Sequence, residues 1–272
     1  MITVIIPSLV KKNLNRLLIK LCQETLISKI ILSIPYHANK KNYNYKNKKI
    51  KVFKNAIKHQ VQQRINSQNY VASKFVLYLD DDVLFDRNFI KNLYRFKFQR
   101  GTNSVVGPVY YDLQFHKIHK LNGNIIFQIK KIIHFLLFLS PIGRSRMGKV
   151  TSAGLCYGVD PDFIGTYLKT EWIPGGCILI NKKDMIRKNY FPSKGKAFCE
   201  DLIMSYIFIK KKLNIFIYKK CKVITDPPQK LNSKRDINFY LKGLKNYFLI
   251  KKSKSYFYYI LVLYYKIKLF FK

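Results

Sequence analysis

The segment Phe75-Val76-Leu77-Tyr78-Leu79-Asp80-Asp81-Asp82 decides the fold. Five apolar residues run together with no polar alternation, then stop at three carboxylates. Such a run reads as a strand covered on both faces, as in a sheet with helices on either side. Working outward, Thr3 to Ile6 is a similar run closed by Pro7-Ser8, and Lys29 to Ile34, Ile50 to Phe53 and Ser104 to Val109 read as further strands. Between them, Leu14, Leu17, Leu18 and Leu21 recur at helical spacing within 14–26, and helices are predicted over 61–72 and 89–98. This alternation predicts an α/β chain with an open, mostly parallel mixed sheet flanked by helices. Ligands of such sheets sit at the carboxyl ends of the strands. Ser8 and the three aspartates both fall there.

The chain has 272 residues, enough for one large α/β domain or two small ones. Lys and Arg number 51 against 14 Asp and Glu, a formal charge of +37, which predicts attraction to anions: nucleic acid, anionic lipid or phosphorylated ligands. The abundance of Asn, Ile, Tyr and Phe alongside Lys also fits an AT-rich coding composition, with part of the charge on a solvated surface. Cys22, Cys156, Cys177, Cys199 and Cys221 form no CxxC pair, which argues against a zinc site and for reduced thiols in the cytosol. His37, His59, His116, His119 and His134 share no metal-ligand spacing. The start has no basic segment followed by a long apolar core, and no run of about 18 uncharged apolar residues occurs, so neither a signal peptide nor a membrane span is expected.

Residues 125–142 are apolar but broken by Lys130, Lys131 and His134; a helix on a membrane surface and a buried helix of an insertion are both open readings. Beyond Glu171, Trp172-Ile-Pro-Gly175-Gly176 reads as a glycine turn feeding a strand, and Cys199-Glu200-Asp201 opens a helix. Short strands are expected over 214–218 and 222–225, ending at Asp226-Pro227-Pro228. The basic, aromatic tail carries an apolar run from Tyr256 to Tyr265, too short for a bilayer and suited to an interfacial helix near anionic lipid.

Acidic residues are scarce in this chain, so their clustering is informative. In an extended strand, residues i and i+2 face the same way, so Asp80 and Asp82 would share a pocket while Asp81 meets another neighbour. Paired carboxylates of this kind suit Mg²⁺ or Mn²⁺ held against a diphosphate. Glu200-Asp201 opens a helix, where the macrodipole favours carboxylates; one could cap, and the other could serve as a general base kept ionised by the helix N-terminus. Gly175-Gly176 would allow close backbone approach, and Trp172, the only tryptophan, could stack on a sugar or pack in the core.

The order of these motifs resembles the family 2 glycosyltransferases, which have the GT-A fold. The resemblance runs over about residues 1–226, through Val4-Ile-Ile-Pro7-Ser8, Gln62-Gln-Arg64, Leu79-Asp-Asp-Asp-Val83, Trp172-Ile-Pro-Gly-Gly176 and Glu200-Asp201. It implies a nucleotide-sugar-binding half (1–112), a variable helical insertion (113–150) and an acceptor half (151–226); the basic aromatic stretch 227–272 lies beyond it and reads by composition as a helical tail at a membrane surface. Pro7 and Ser8 would line the nucleotide base, with Arg64 near the donor. Asp80 and Asp81 would contact the donor, joined by Trp172, Gly175 and Gly176. Asp82 would hold the metal with Asp80 and Asp226, Asp201 would be the catalytic base, and Glu200 its neighbour on the acceptor side. Relatives end the second strand with an acidic residue, whereas this chain has Ser33-Ile-Pro-Tyr36. The implied activity is inverting, metal-dependent sugar transfer to a glycan or lipid-linked acceptor in cell-surface polysaccharide or glycolipid assembly, peripheral to the inner face of a membrane. A nucleotidyltransferase would need a glycine-rich loop after the first strand, which Pro7-Ser-Leu-Val-Lys-Lys lacks. The other rivals are a basic nucleic-acid-binding protein and an inactive membrane-docking relative.

Overall fold

The computed structural model describes residues 1–10, 14–38, 47–56, 58–111, 146–191, 197–225, 233–253 and 256–270. The expected helix at 125–142, most of the expected insertion at 113–150, and Asp226 lie outside the described residues.

A nine-stranded sheet forms the frame, in the order β3-β2-β1-β4-β8-β6-β9-β5, with β7 added against β9. The strands are β1 (Ile2–Pro7), β2 (Ile27–Pro35), β3 (Ile50–Asn55), β4 (Phe75–Leu79), β5 (Leu84–Phe85), β6 (Ser104–Tyr111), β7 (Tyr167–Thr170), β8 (Cys177–Asn181) and β9 (Asn214–Ile224). β1, β2, β3 and β4 pair in parallel, as do β6 and β9. β8 runs antiparallel between β4 and β6, and β5 and β7 are antiparallel to β9. The sheet is therefore mixed, with most paired residues in parallel ladders.

Every residue of β1 and β4 is buried, because both sheet faces are covered. On one face Val4, Ile6, Leu77 and Leu79 pack with α1 (Leu14–Gln23) and α3 (Phe89–Gln99). On the other, Ile5, Val76, Tyr78 and Ile178 pack with Met204 and Phe208 of α4 (Glu200–Lys210). α2 (Gln60–Ser67) stops earlier than the 61–72 expected. The Ser67 hydroxyl donates back to the Gln63 carbonyl at 2.7 Å, a local bond that competes with helix continuation. The Gln68 amide is drawn inward to the Tyr78 hydroxyl and the Ile186 carbonyl. The two strands expected at 214–218 and 222–225 are one strand, with a register shift opposite Pro108–Val109.

The described residues of the tail form two helices. α5 (Lys234–Lys251) buries Leu244, Tyr247 and Phe248 in one cluster with Leu202 and Ile203 of α4 and Val61 of α2, and Ile237 is buried as well. α5 thus contributes to a core cluster of the fold. α6 (Tyr256–Phe270) packs onto it through Leu261. α5 also passes so close to α4 that a Cβ on Gly243 would overlap the Phe198 carbonyl oxygen.

Candidate active site

Arg64, on α2, organises the site. Its guanidinium donates from Nη1 to Glu200 Oε1 at 2.7 Å, and from Nη2 to Asp80 Oδ1 at 2.9 Å and the Gly175 carbonyl at 3.1 Å. A buried cation is costly unless paired. Burial pulls the Arg64 pKa down, but Glu200 and Asp80 outweigh it and hold the group above its ordinary value. One side chain thus joins the carboxyl end of β4, the glycine turn before β8 and the first turn of α4.

The glycines serve this close packing. A Cβ on Gly175 would lie 2.5 Å from Glu200 Oε1, and one on Gly176 would lie 3.1 Å from Asp80 Oδ2 and 3.3 Å from the Tyr110 hydroxyl. The Gly176 carbonyl also accepts from the Asp80 amide at 2.8 Å. The close approach anticipated at this turn is therefore to the protein's own carboxylates.

Asp80 Oδ1 also accepts from the Gln60 amide at 2.7 Å. Gln60 and Arg64 are one helical turn apart, so both reach the same carboxylate. The chain then turns through Asp81 and Asp82 instead of staying extended, with the Val83 amide facing the Asp80 carbonyl at 3.5 Å. Strand alternation thus does not decide where Asp82 points. Asp81 is buried and accepts from the Ser8 hydroxyl at 2.6 Å, which binds the end of β1 to the end of β4. Ser8 Oγ in turn accepts from the Val10 amide at 2.7 Å. Val10 sits at φ 63°, a left-handed conformation that is strained for a β-branched residue.

Glu200 and Asp201 are neighbours with separate environments. Cys199, at φ 64°, turns the chain into α4 without a side-chain cap. Glu200 points inward: Oε1 takes Arg64, and Oε2 accepts from the Tyr190 hydroxyl at 2.9 Å. Both of its carboxylate oxygens are thus held by neighbouring side chains. Asp201 is half-buried, and its Oδ1 accepts from the Leu202 amide at 2.9 Å. Burial, reinforced by the Glu200 charge, pushes its carboxyl up to about 7 against the opposing Leu202 amide and Arg64. A helix N-terminus favours the ionised acid, and burial and the adjacent carboxylate act against it.

At the end of β2, where relatives in the resembled family carry an acid, the Ser33 hydroxyl donates to the Gln63 carbonyl at 3.1 Å and accepts from Asn55 at 2.6 Å. The corner is filled by neutral amides. Trp172 donates its indole N–H to the Tyr157 carbonyl at 2.8 Å, so its polar edge is held by the fold. Pro7 ends β1 beside Ser8. Gln60 and Tyr190 were not anticipated; the i, i+4 spacing of Gln60 with Arg64 was the one sequence signal for either.

A divalent cation can be weighed against these donors. Among the described residues, no group of three or more His, Cys, Asp or Glu side chains could hold one. Asp80 Oδ1 is committed to Arg64 and Gln60; its Oδ2 and the half-buried Asp82 carboxylate are the other hard oxygens at this turn. Carboxylate oxygens are the donor type that Mg²⁺ or Mn²⁺ takes, commonly one or two of them with substrate phosphate and water completing the shell.

No protein-family model matches the chain, and no curated protein matches it in sequence. Solved structures do resemble it. GalNAc-T7, crystallised with UDP, GalNAc and Mn²⁺, superposes with a TM-score of 0.61 at 14% identity, over 93% of this chain and 48% of that one. S. aureus TarS 1–349 in complex with UDP-GlcNAc gives 0.53 at 11% identity, over 91% and 72%. A mycobacterial protein gives 0.56 at 10%, over 94% and 76%. The fold is GT-A-like. The chain spans about half the length of the GalNAc-T7 structure. Within a GT-A-like fold, the carboxyl ends of β1 and β4, where Ser8 and Asp80–Asp82 lie, are the expected place for a ligand crevice.

Proposed function

We propose that the protein is an inverting glycosyltransferase that moves a sugar from a nucleotide-sugar donor to an acceptor hydroxyl. The observation that carries this reading is Arg64, which gathers Asp80, Gly175 and Glu200 from remote parts of the sequence into one site. The neighbours crystallised with UDP or UDP-GlcNAc support the donor class.

In this reading Asp201 takes the proton from the acceptor hydroxyl as its oxygen bonds to the anomeric carbon. The glycosidic bond to the nucleoside diphosphate breaks, and its electron pair leaves with the diphosphate. A base with a pKa near the working pH is both available and strong enough for that transfer. Ser8 and Asp81 shape the nucleotide side, and Arg64 and Glu200 hold Asp80 and Asp201 in register for the reaction. Asp82 with Asp80, and Asp226 as a further hard donor, would hold Mg²⁺ or Mn²⁺, which offsets the charge building on the departing diphosphate. The proposed acceptor is a glycan, lipid-linked and presented at a membrane surface, as in polysaccharide or glycolipid assembly.

The test is release of nucleoside diphosphate from a panel of nucleotide sugars with Mn²⁺ or Mg²⁺, with and without chelator. Turnover of one donor, lost on chelation and reduced at least about a hundredfold by Asp201→Asn, is expected. Full activity of Asp201→Asn would remove Asp201 from the role of base.

A further inference from the structure

The geometry points to the outer face of α6 as a docking surface for an anionic phospholipid bilayer. α6 has two faces. Leu261 is buried in a cluster with Leu244, Tyr247 and Phe248 of α5, so the inner face is committed to the protein. The outer face presents Tyr256, Tyr259, Leu263 and Ile267 to solvent at intervals of three and four residues, which places them in one stripe along the helix. Tyr259 is 67% exposed and Leu263 58%. Leu249, near the end of α5, is 67% exposed and adds to the apolar surface of this pair of helices.

Three observations select lipid as the occupant. The stripe is rich in tyrosine, whose apolar ring and polar tip suit the headgroup boundary. Exposed Lys252 precedes the helix, exposed Lys266 lies within it, and the whole chain carries +37, so the surface around the stripe is complementary to anionic headgroups. Lys266 and Lys268 interrupt the apolar run within α6, a pattern that suits lying on a bilayer. Among the described residues no helix is long and apolar enough to cross one.

The cluster that seats α6 also contains Leu202 and Ile203 of α4, whose first turn carries Asp201. Docking through α6 therefore sets the position of Asp201 relative to the lipid surface. That a lipid-linked acceptor is met there rests on the transferase reading; the binding itself does not.

The experiment is co-sedimentation of the full chain with phosphatidylcholine vesicles, with and without phosphatidylglycerol, in the absence of any sugar. Binding to the anionic vesicles is expected, weakened by added salt. Leu263→Glu and Tyr259→Glu should each weaken it about ten- to a hundredfold, by removing apolar burial and adding repulsion from the headgroups. Both side chains are exposed, so urea unfolding midpoints should stay at the parent value. Absence of binding, or binding by both variants at parent strength, overturns the proposal; the latter would leave net charge alone as the cause. A concentration-dependent dimer that Leu263→Glu abolishes, without vesicle binding, overturns it in favour of a second copy of the chain. Vesicle binding without donor turnover would leave the docking surface standing and the transferase reading failed, and the reverse result separates them equally.

Discussion

At the residue scale, Asp201 and Arg64 make opposite predictions about charge. Asp201 must be deprotonated to act as a base, so transfer should rise with pH and level off above about 7. The measurement is kcat/KM against pH; a profile already flat below pH 5 would place the base elsewhere. The same proton bears on stability. Between the ordinary value of 3.8 and about 7, the folded chain keeps a proton that the unfolded chain has lost. The contribution of Asp201 to stability therefore falls as pH rises through that window. For Arg64, removing the cation strands two carboxylates. Arg64→Met should cost about 3–5 kcal/mol in urea denaturation. Arg64→Met combined with Glu200→Gln should lose less than the two single changes added together; strict additivity would contradict their coupling.

At the element scale, the junction of α5 with α4 is the sensitive contact. Gly243→Ala would drive a Cβ into the Phe198 carbonyl, and backbone cannot yield as a flexible side chain can. A loss of about 1–3 kcal/mol is expected, by the usual cost of overpacking, together with reduced transfer because α4 carries Asp201. Unchanged melting and unchanged activity would show that the helices slide apart freely. These contacts also mark what the sequence discloses. β1 and β4 were legible because burial on both faces leaves unbroken apolar runs. β5 has two residues, and β7 spells Tyr-Leu-Lys-Thr; neither carries a periodic signal. α5 was read only as part of a basic tail, because its lysines mask four buried apolar positions. In the site, Arg64, Asp80 and the two glycines stood out by motif. Tyr190 did not, since nothing local shows that its hydroxyl ends on Glu200.

At the scale of the whole molecule, charge dominates. A chain at +37 repels itself in the folded state more than in an expanded one. Raising ionic strength from low to physiological values shortens the reach of that repulsion to about 8 Å. The melting temperature should therefore climb with added NaCl, and a polyanion should raise it at much lower concentration. A melting temperature that fell with salt would mean that favourable ion pairs outweigh the repulsion. Lys97 shows the same pressure locally: burial lowers its pKa to about 8, although Gly101, Ser104 and Asn181 all accept from its ammonium.

The bond between Arg64 and Glu200 spans 136 positions of the chain. During synthesis, the first half of the sheet emerges from the ribosome well before residue 200 does. Until then Arg64 lacks its principal counter-ion, and enclosing it would be unfavourable. The first half of the sheet therefore has reason to stay loosely assembled until α4 arrives. A nascent or truncated polypeptide ending before α4 should be recognisable by proteolysis as incompletely closed around Arg64.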